Sequence, residues 1–172
     1  VDRSLDTDIY RNKDRLPFNT NAQEGNPHYC VAKDELWFDI GDTKIYVLAH
    51  AARDGFSGTP QPAPAPINSH RLGVQESQPW LSEDGQTLYF SSTRDHVGQG
   101  PFIYTSTRLG EDRWSEPATV ISGVQYGVGE PSLTADDQRL FYEQIFRNRQ
   151  GVFATEFFYV ERLEAKDNSQ SR

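Results

Sequence analysis

Short apolar runs punctuated by polar, Gly-rich and Pro-rich stretches fill this chain, and none of them carries the 3.6-residue period of an amphipathic helix. Three runs stand out, Leu36-Trp37-Phe38, Leu88-Tyr89-Phe90 and Leu140-Phe141-Tyr142. Each is preceded by a Pro-led segment: Asn26-Pro27-His28-Tyr29-Cys30, Gln78-Pro79-Trp80-Leu81-Ser82 and Glu130-Pro131-Ser132-Leu133-Thr134. Each is followed by a further apolar pair, Ile45-Tyr46, Ile103-Tyr104 and Phe158-Tyr159. Runs of this length, bounded by turn residues such as Glu83-Asp84-Gly85-Gln86 and Ala135-Asp136-Asp137-Gln138, predict antiparallel strands. In the second repeat a fourth strand is expected at Ala118-Thr119-Val120, after Trp114-Ser115-Glu116-Pro117; the first repeat has a looser counterpart of that lead-in, Phe56-Ser57-Gly58-Thr59-Pro60, running into a Pro-rich stretch.

The spacing is regular. Pro27, Pro79 and Pro131 recur every 52 residues, and so do Leu36, Leu88 and Leu140. A repeat of this length, each unit a small antiparallel sheet, predicts an all-β fold of β-propeller blades. The expected organisation is a partial blade over residues 1–25, with Asp8-Ile9-Tyr10 as one of its strands. Blades follow over 26–70, 71–125 and 126–163, and a polar tail covers 164–172. One blade cannot bury both of its faces, so neighbours are expected to cover each other. The predicted core is Trp37, Phe38, Tyr46, Trp80, Leu88, Phe90, Ile103, Tyr104, Leu140, Tyr142 and Phe158. About three blades fall short of the 4–8 of a closed propeller, so the ring is expected to be completed by a protein partner, a second copy or another segment.

Composition narrows the function. The 172 residues carry a formal net charge of −8 and no Lys/Arg cluster, which argues against nucleic acid as a partner. A mean hydropathy of −0.72 would suit a disordered chain, but the aromatic fraction of 12% is clustered as in a folded one. No apolar run approaches the roughly 20 residues of a transmembrane segment. A single Cys, Cys30, excludes an internal disulfide, and the absence of Met makes Val1 either a processing site or a point within a longer product.

The stretch from Gln78 to Arg94, Gln-Pro-Trp-Leu-Ser-Glu-Asp-Gly-Gln-Thr-Leu-Tyr-Phe-Ser-Ser-Thr-Arg, resembles the WD-like repeat of TolB-type propellers. The segments Phe102–Arg108 and Trp114–Pro117 match the way such repeats continue. The third repeat departs from the pattern, with Asp137 where Gly is usual, and the first lacks the Ser-x-Asp-Gly turn. The resemblance covers roughly residues 26–163. It implies a bacterial periplasmic or extracellular protein that binds or scaffolds more than it catalyses.

Candidate chemistry is sparse. His28, His50, His70 and His96 show no metal-ligand spacing, and no nucleophile motif surrounds Cys30, which reads as a small buried hydrophobe. No cofactor and no metal are expected. Glu76, Glu130 and Asn26 are read as lying just before the repeat prolines, at the rim of a central channel, with His28, Gln78 and Trp80 beside them. Two rim carboxylates would also suit a carbohydrate-active hydrolase, provided that they face one cleft. Thr59-Pro60-Gln61-Pro62-Ala63-Pro64-Ala65-Pro66 reads as an extended strip, either a stiff connection or a docking site through Pro60, Pro62, Pro64 and Pro66. Arg94, with Arg147 one residue out of register, is expected to bind acids or carbonyls of a neighbouring blade. The expected function is a non-catalytic protein-binding or assembly module, favoured over the hydrolase because catalytic motifs are absent.

Overall fold

The computed structural model describes residues 15–163. Among the described residues there is no helix, and the strands form three antiparallel sheets, none closed on itself. The first sheet holds β1 (Glu24–Cys30), β2 (Glu35–Ile40), β3 (Lys44–Ala49) and the short β4 (Gln61–Pro62), in that order. The second holds β5 (Glu76–Leu81), β6 (Thr87–Ser92) and β7 (Phe102–Gly110), with both β8 (Arg113–Trp114) and β9 (Ala118–Ile121) paired to β7. The third holds β10 (Val128–Leu133), β11 (Arg139–Arg147) and β12 (Phe153–Glu161). β5 touches both β1 and β10, so the leading strands of the three sheets lie side by side.

The 52-residue period is kept in the hydrogen-bond register. Phe38, Phe90 and Tyr142 stand opposite Tyr46, Tyr104 and Phe158. Their neighbours Asp39, Ser91 and Glu143 stand opposite Ile45, Ile103 and Phe157. The third pair is therefore Phe157-Phe158, one residue earlier than the expected Phe158-Tyr159. Side chains alternate along a strand, so a one-residue slip exchanges the two faces of the sheet.

Each leading strand also carries a bulge in the same place, between Gly25 and His28, Ser77 and Trp80, and Gly129 and Ser132. Asn26, Gln78 and Glu130 adopt φ values of 52°, 55° and 53° there. The following proline has no N–H to place in the ladder, so the irregularity falls where a ladder bond is missing in any case. The turn after the leading strand is built alike in two repeats. The Asp84 carboxylate accepts from Ser82 Oγ and from the Gln86 N–H, and Asp136 accepts from Thr134 Oγ1 and the Gln138 N–H. Gly85 and Asp137 take the left-handed position of these turns.

The core lies between sheets. Cys30, Trp37, Ile45 and Ala63 of the first sheet pack on Leu81, Leu88, Phe90, Tyr104 and Trp114 of the second. Ile103 and Tyr89 meet Val128, Leu133, Leu140 and Tyr142 of the third. On its other face the first sheet buries Leu36, Phe38 and Leu48 under Leu16, Phe18 and Phe56. Of the expected core, Trp37, Phe38, Leu88, Phe90, Ile103, Tyr104 and Leu140 are buried, and Tyr46, Trp80 and Tyr142 are half-buried. Phe158 is exposed, which corrects the expectation. Its equivalent Tyr104 is flanked by β9 and lies under the Arg94 guanidinium, whereas no strand flanks the outer side of β12 among the described residues.

The Pro strip supplies the fourth strand of the first sheet, directly after Phe56–Pro60: Gln61 and Pro62 pair with Val47 and Tyr46. The Asn68 amide then bonds Ile45 and Ala63 carbonyls, and Arg94 bonds the Pro66 and Ile67 carbonyls, holding the connection onto the second sheet. Arg147 instead bonds Gly151 O inside its own hairpin. Residues 15–23 hold no strand, while the expected strand at Asp8-Ile9-Tyr10 and the tail 164–172 lie outside the described residues.

Candidate functional site

In the second and third sheets the bulge turns a backbone N–H toward the sheet before it, where a side chain accepts it. Asp39 is fully buried, and its carboxylate accepts the Gln78 N–H at 2.8 Å and the Asn26 side-chain amide at 2.7 Å. One repeat later, Gln78 Oε1 accepts the Glu130 N–H at 3.0 Å and the Ser91 hydroxyl at 2.6 Å. The Gln78 amide donates to Glu130 Oε1 at 2.7 Å. Asp39 and Ser91 are equivalent residues of the repeat, so the same latch joins the first sheet to the second and the second to the third. Gly129 makes room for it, because a side chain on Gly129 would run into Gln78 Oε1.

Around this latch lies a cleft of about 470 Å³, lined by the three dipeptides Asn26-Pro27, Gln78-Pro79 and Glu130-Pro131, with His28, Trp80, Ser132, Glu143 and Phe157. Five of the six residues expected at a rim are thus brought together: Asn26, His28, Gln78, Trp80 and Glu130. The His28 and Trp80 rings lie 4.3 Å apart and form an aromatic wall drawn from two repeats. Desolvation holds the His28 imidazole below its ordinary pKa, opposed by a hydrogen bond to the Leu81 backbone. Partial desolvation raises the Glu130 carboxyl, as do Glu143, Asp39 and Asp42, while the bond from Gln78 opposes the shift.

Glu76 does not belong to this group. It is fully buried, 2.6 Å from Lys44 Nζ and 3.7 Å from Arg94, and it also accepts the Ser69 N–H. It lies two residues before the bulge, so it turns inward, and the paired carboxylates expected from Glu76 and Glu130 do not face one cleft. The acid that shares the cleft with Glu130 is Glu143, which sequence reasoning missed together with Phe157 and Asp39. The signal was present: Asp39, Ser91 and Glu143 are polar residues next to the central aromatic triplet, spaced by 52.

A larger cavity of about 570 Å³ opens at the far end of the first two sheets. Within it Arg108 bonds Glu35 at 2.6 Å and lies 4.5 Å from the Trp114 ring centre, and Glu35 accepts the Trp37 indole N–H. Pro64 lines this cavity, Pro60 and Pro66 are half-buried, and Pro62 is exposed. Among the described residues no three His, Cys, Asp or Glu side chains are grouped to hold a metal ion, and no helix is long and apolar enough to cross a membrane.

No protein-family model matches the chain, and no curated protein matches it. A solved structure from work on two prolyl endopeptidases, concerned with inter-domain dynamics in their catalysis and specificity, is similar over 80% of this chain. The identity is 14% and the TM-score 0.44, and the match spans 20% of that longer chain. A likeness of this size assigns neither a family nor an activity.

Proposed function

We propose that the three sheets are consecutive blades of a β-propeller similar to the TolB type, and that the chain is a non-catalytic protein-binding or assembly module. On this reading it acts in the bacterial periplasm or outside the cell, and another chain or segment completes the ring. One observation carries the reading: equivalent Xaa-Pro positions of all three repeats converge on one cleft with an aromatic wall. The sheets hold this surface rigid, and a half-buried Trp beside it is the kind of anchor that dominates protein interfaces. The net charge of −8 favours a neutral or basic partner and weaker association at high salt. The test is affinity capture from an envelope fraction with the wild-type chain and with Trp80→Ala. Loss of a specific partner on truncation, with folding intact, supports the proposal, and unchanged capture contradicts it.

A carbohydrate-active hydrolase is the second reading. It is favoured by two carboxylates, Glu130 and Glu143, lining one cleft, with Glu130 held above the ordinary range. Turnover of a glycoside by the wild-type chain that Glu130→Gln or Glu143→Gln abolishes would establish it over the binding module.

A further inference from the structure

The latch and the apolar contact beneath it occur twice and are half-built a third time. In the first two sheets the residue opposite the latch position is sealed by the next sheet: Ile45 and Ile103 are both 0% exposed. Its equivalent in the third sheet, Phe157, is 83% exposed, and Phe141 and Tyr159 on the same face are also exposed. Their rings lie 5.8 Å apart, the cross-strand pair that corresponds to Trp37 and Val47 in the first sheet. Above Phe157, the Glu143 and Glu130 carboxylates occupy the places from which Asp39 and Gln78 accept an incoming N–H. The third sheet thus presents an apolar face and two carboxylates that, among the described residues, accept no N–H from a following sheet, although Glu130 Oε1 already accepts from the Gln78 amide.

The other end of the chain carries the matching half. Gln78 and Glu130 donate their left-handed N–H groups to side chains of the preceding sheet. The N–H of Asn26, the third residue of this set, reaches no side-chain acceptor among the described residues. On the outer face of the first sheet Phe38, the equivalent of Phe90, is buried under Leu16, Phe18 and Phe56, and Tyr46, the equivalent of Tyr104, is half-buried, so the layer open to a neighbour is formed by Leu16 and Phe18 with Tyr46.

Resting on the propeller reading, we infer that the exposed face of the third sheet takes the first sheet of a second copy, with the Asn26 N–H of one copy bonded to the Glu130 and Glu143 carboxylates of the other. Donor meets acceptor only in this head-to-tail sense, since joining two third sheets would oppose acid to acid. Two chains then supply six sheets, within the range of closed propellers, and both copies use both ends. Leu16 and Phe18 become part of the buried layer.

Sedimentation equilibrium on the 172-residue chain, from micromolar to near-millimolar concentration, tests this. The expected mass is twice the 19.6 kDa of one chain. Phe157→Lys and Glu143→Lys should each weaken association by about tenfold or more, with circular dichroism unchanged because these side chains support no contact inside one copy's core. Radical footprinting should show Phe141 and Phe157 shielded in the dimer. A chain that stays at 19.6 kDa at every concentration overturns the inference. So does a dimer indifferent to both substitutions. A monomer that still captures a partner through Trp80 would overturn this inference alone and leave the binding-module reading standing.

Discussion

Asp39 is a buried carboxylate with no ion-pair partner among the described residues, held by two donors that come from different sheets. Removing it leaves the half-buried Gln78 N–H and Asn26 amide without their acceptor. We expect Asp39→Ala to lower unfolding free energy by about 2–3 kcal/mol, measured by urea denaturation. Asp39→Asn, which keeps an acceptor for the Gln78 N–H, should lose less. His28 sets a pH dependence of known sign. Burial depresses its pKa, so the unfolded chain binds the proton more readily than the folded one. Stability is therefore full above the ordinary His value of about 6.5 and falls as pH drops below it toward the folded value. Denaturation midpoints measured across that range should slope for the wild type and flatten in His28→Phe. A second loss belongs to Asp84 and Asp136, whose carboxyls are held low by the Ser82 and Thr134 hydroxyls. It starts only below about 4, as pH falls through their depressed values.

At the scale of elements, each sheet is joined to the next by a latch at one end, an apolar layer in the middle and, between the first two, a charged clamp at the other end. Arg108 and Glu35 are nearly enclosed, and the indole N–H of Trp37 depends on the same carboxylate. Arg108→Met leaves Glu35 without its cation and should lower stability by about 2–4 kcal/mol, more than the exposed pair Arg139–Glu161 in the third sheet would lose on a like change. The elements were largely legible in the sequence because Pro and Leu recur in fixed register and the Asp turns mark the hairpins. The missed features share one cause. A strand's period of 2 tells which residues alternate, but not which face meets a neighbour. Glu76 therefore reads as a rim acid when it is an interior ion-pair partner, and Phe158 reads as core because its repeat equivalents are buried, although no strand flanks β12 among the described residues. Asp39 belongs to no motif legible in the sequence, because its partner is a backbone N–H that only the bulge exposes. The Pro strip reads as a stiff connection or a docking site, because β4 is two residues long and its pairing to β3 leaves no alternation to see.

At the scale of the whole molecule, three similar sheets stand in a row, each covering a face of the one before, and the last carries an uncovered aromatic face. Faces of this kind mark association surfaces in soluble proteins. The arrangement depends on the repeated latch, because the apolar layers alone would allow neighbouring sheets to slide. Amide hydrogen exchange followed by NMR reads that latch residue by residue. Gln78 and Glu130 sit in irregular backbone, where a ladder bond is missing, so local structure within their own strands gives them little protection. Both amides are expected to exchange far more slowly than that of Arg149, an exposed turn residue whose N–H has no acceptor among the described residues, and Asp39→Ala is expected to release Gln78 while leaving Glu130 protected. Exchange of the Gln78 and Glu130 amides at the Arg149 rate would contradict the latch.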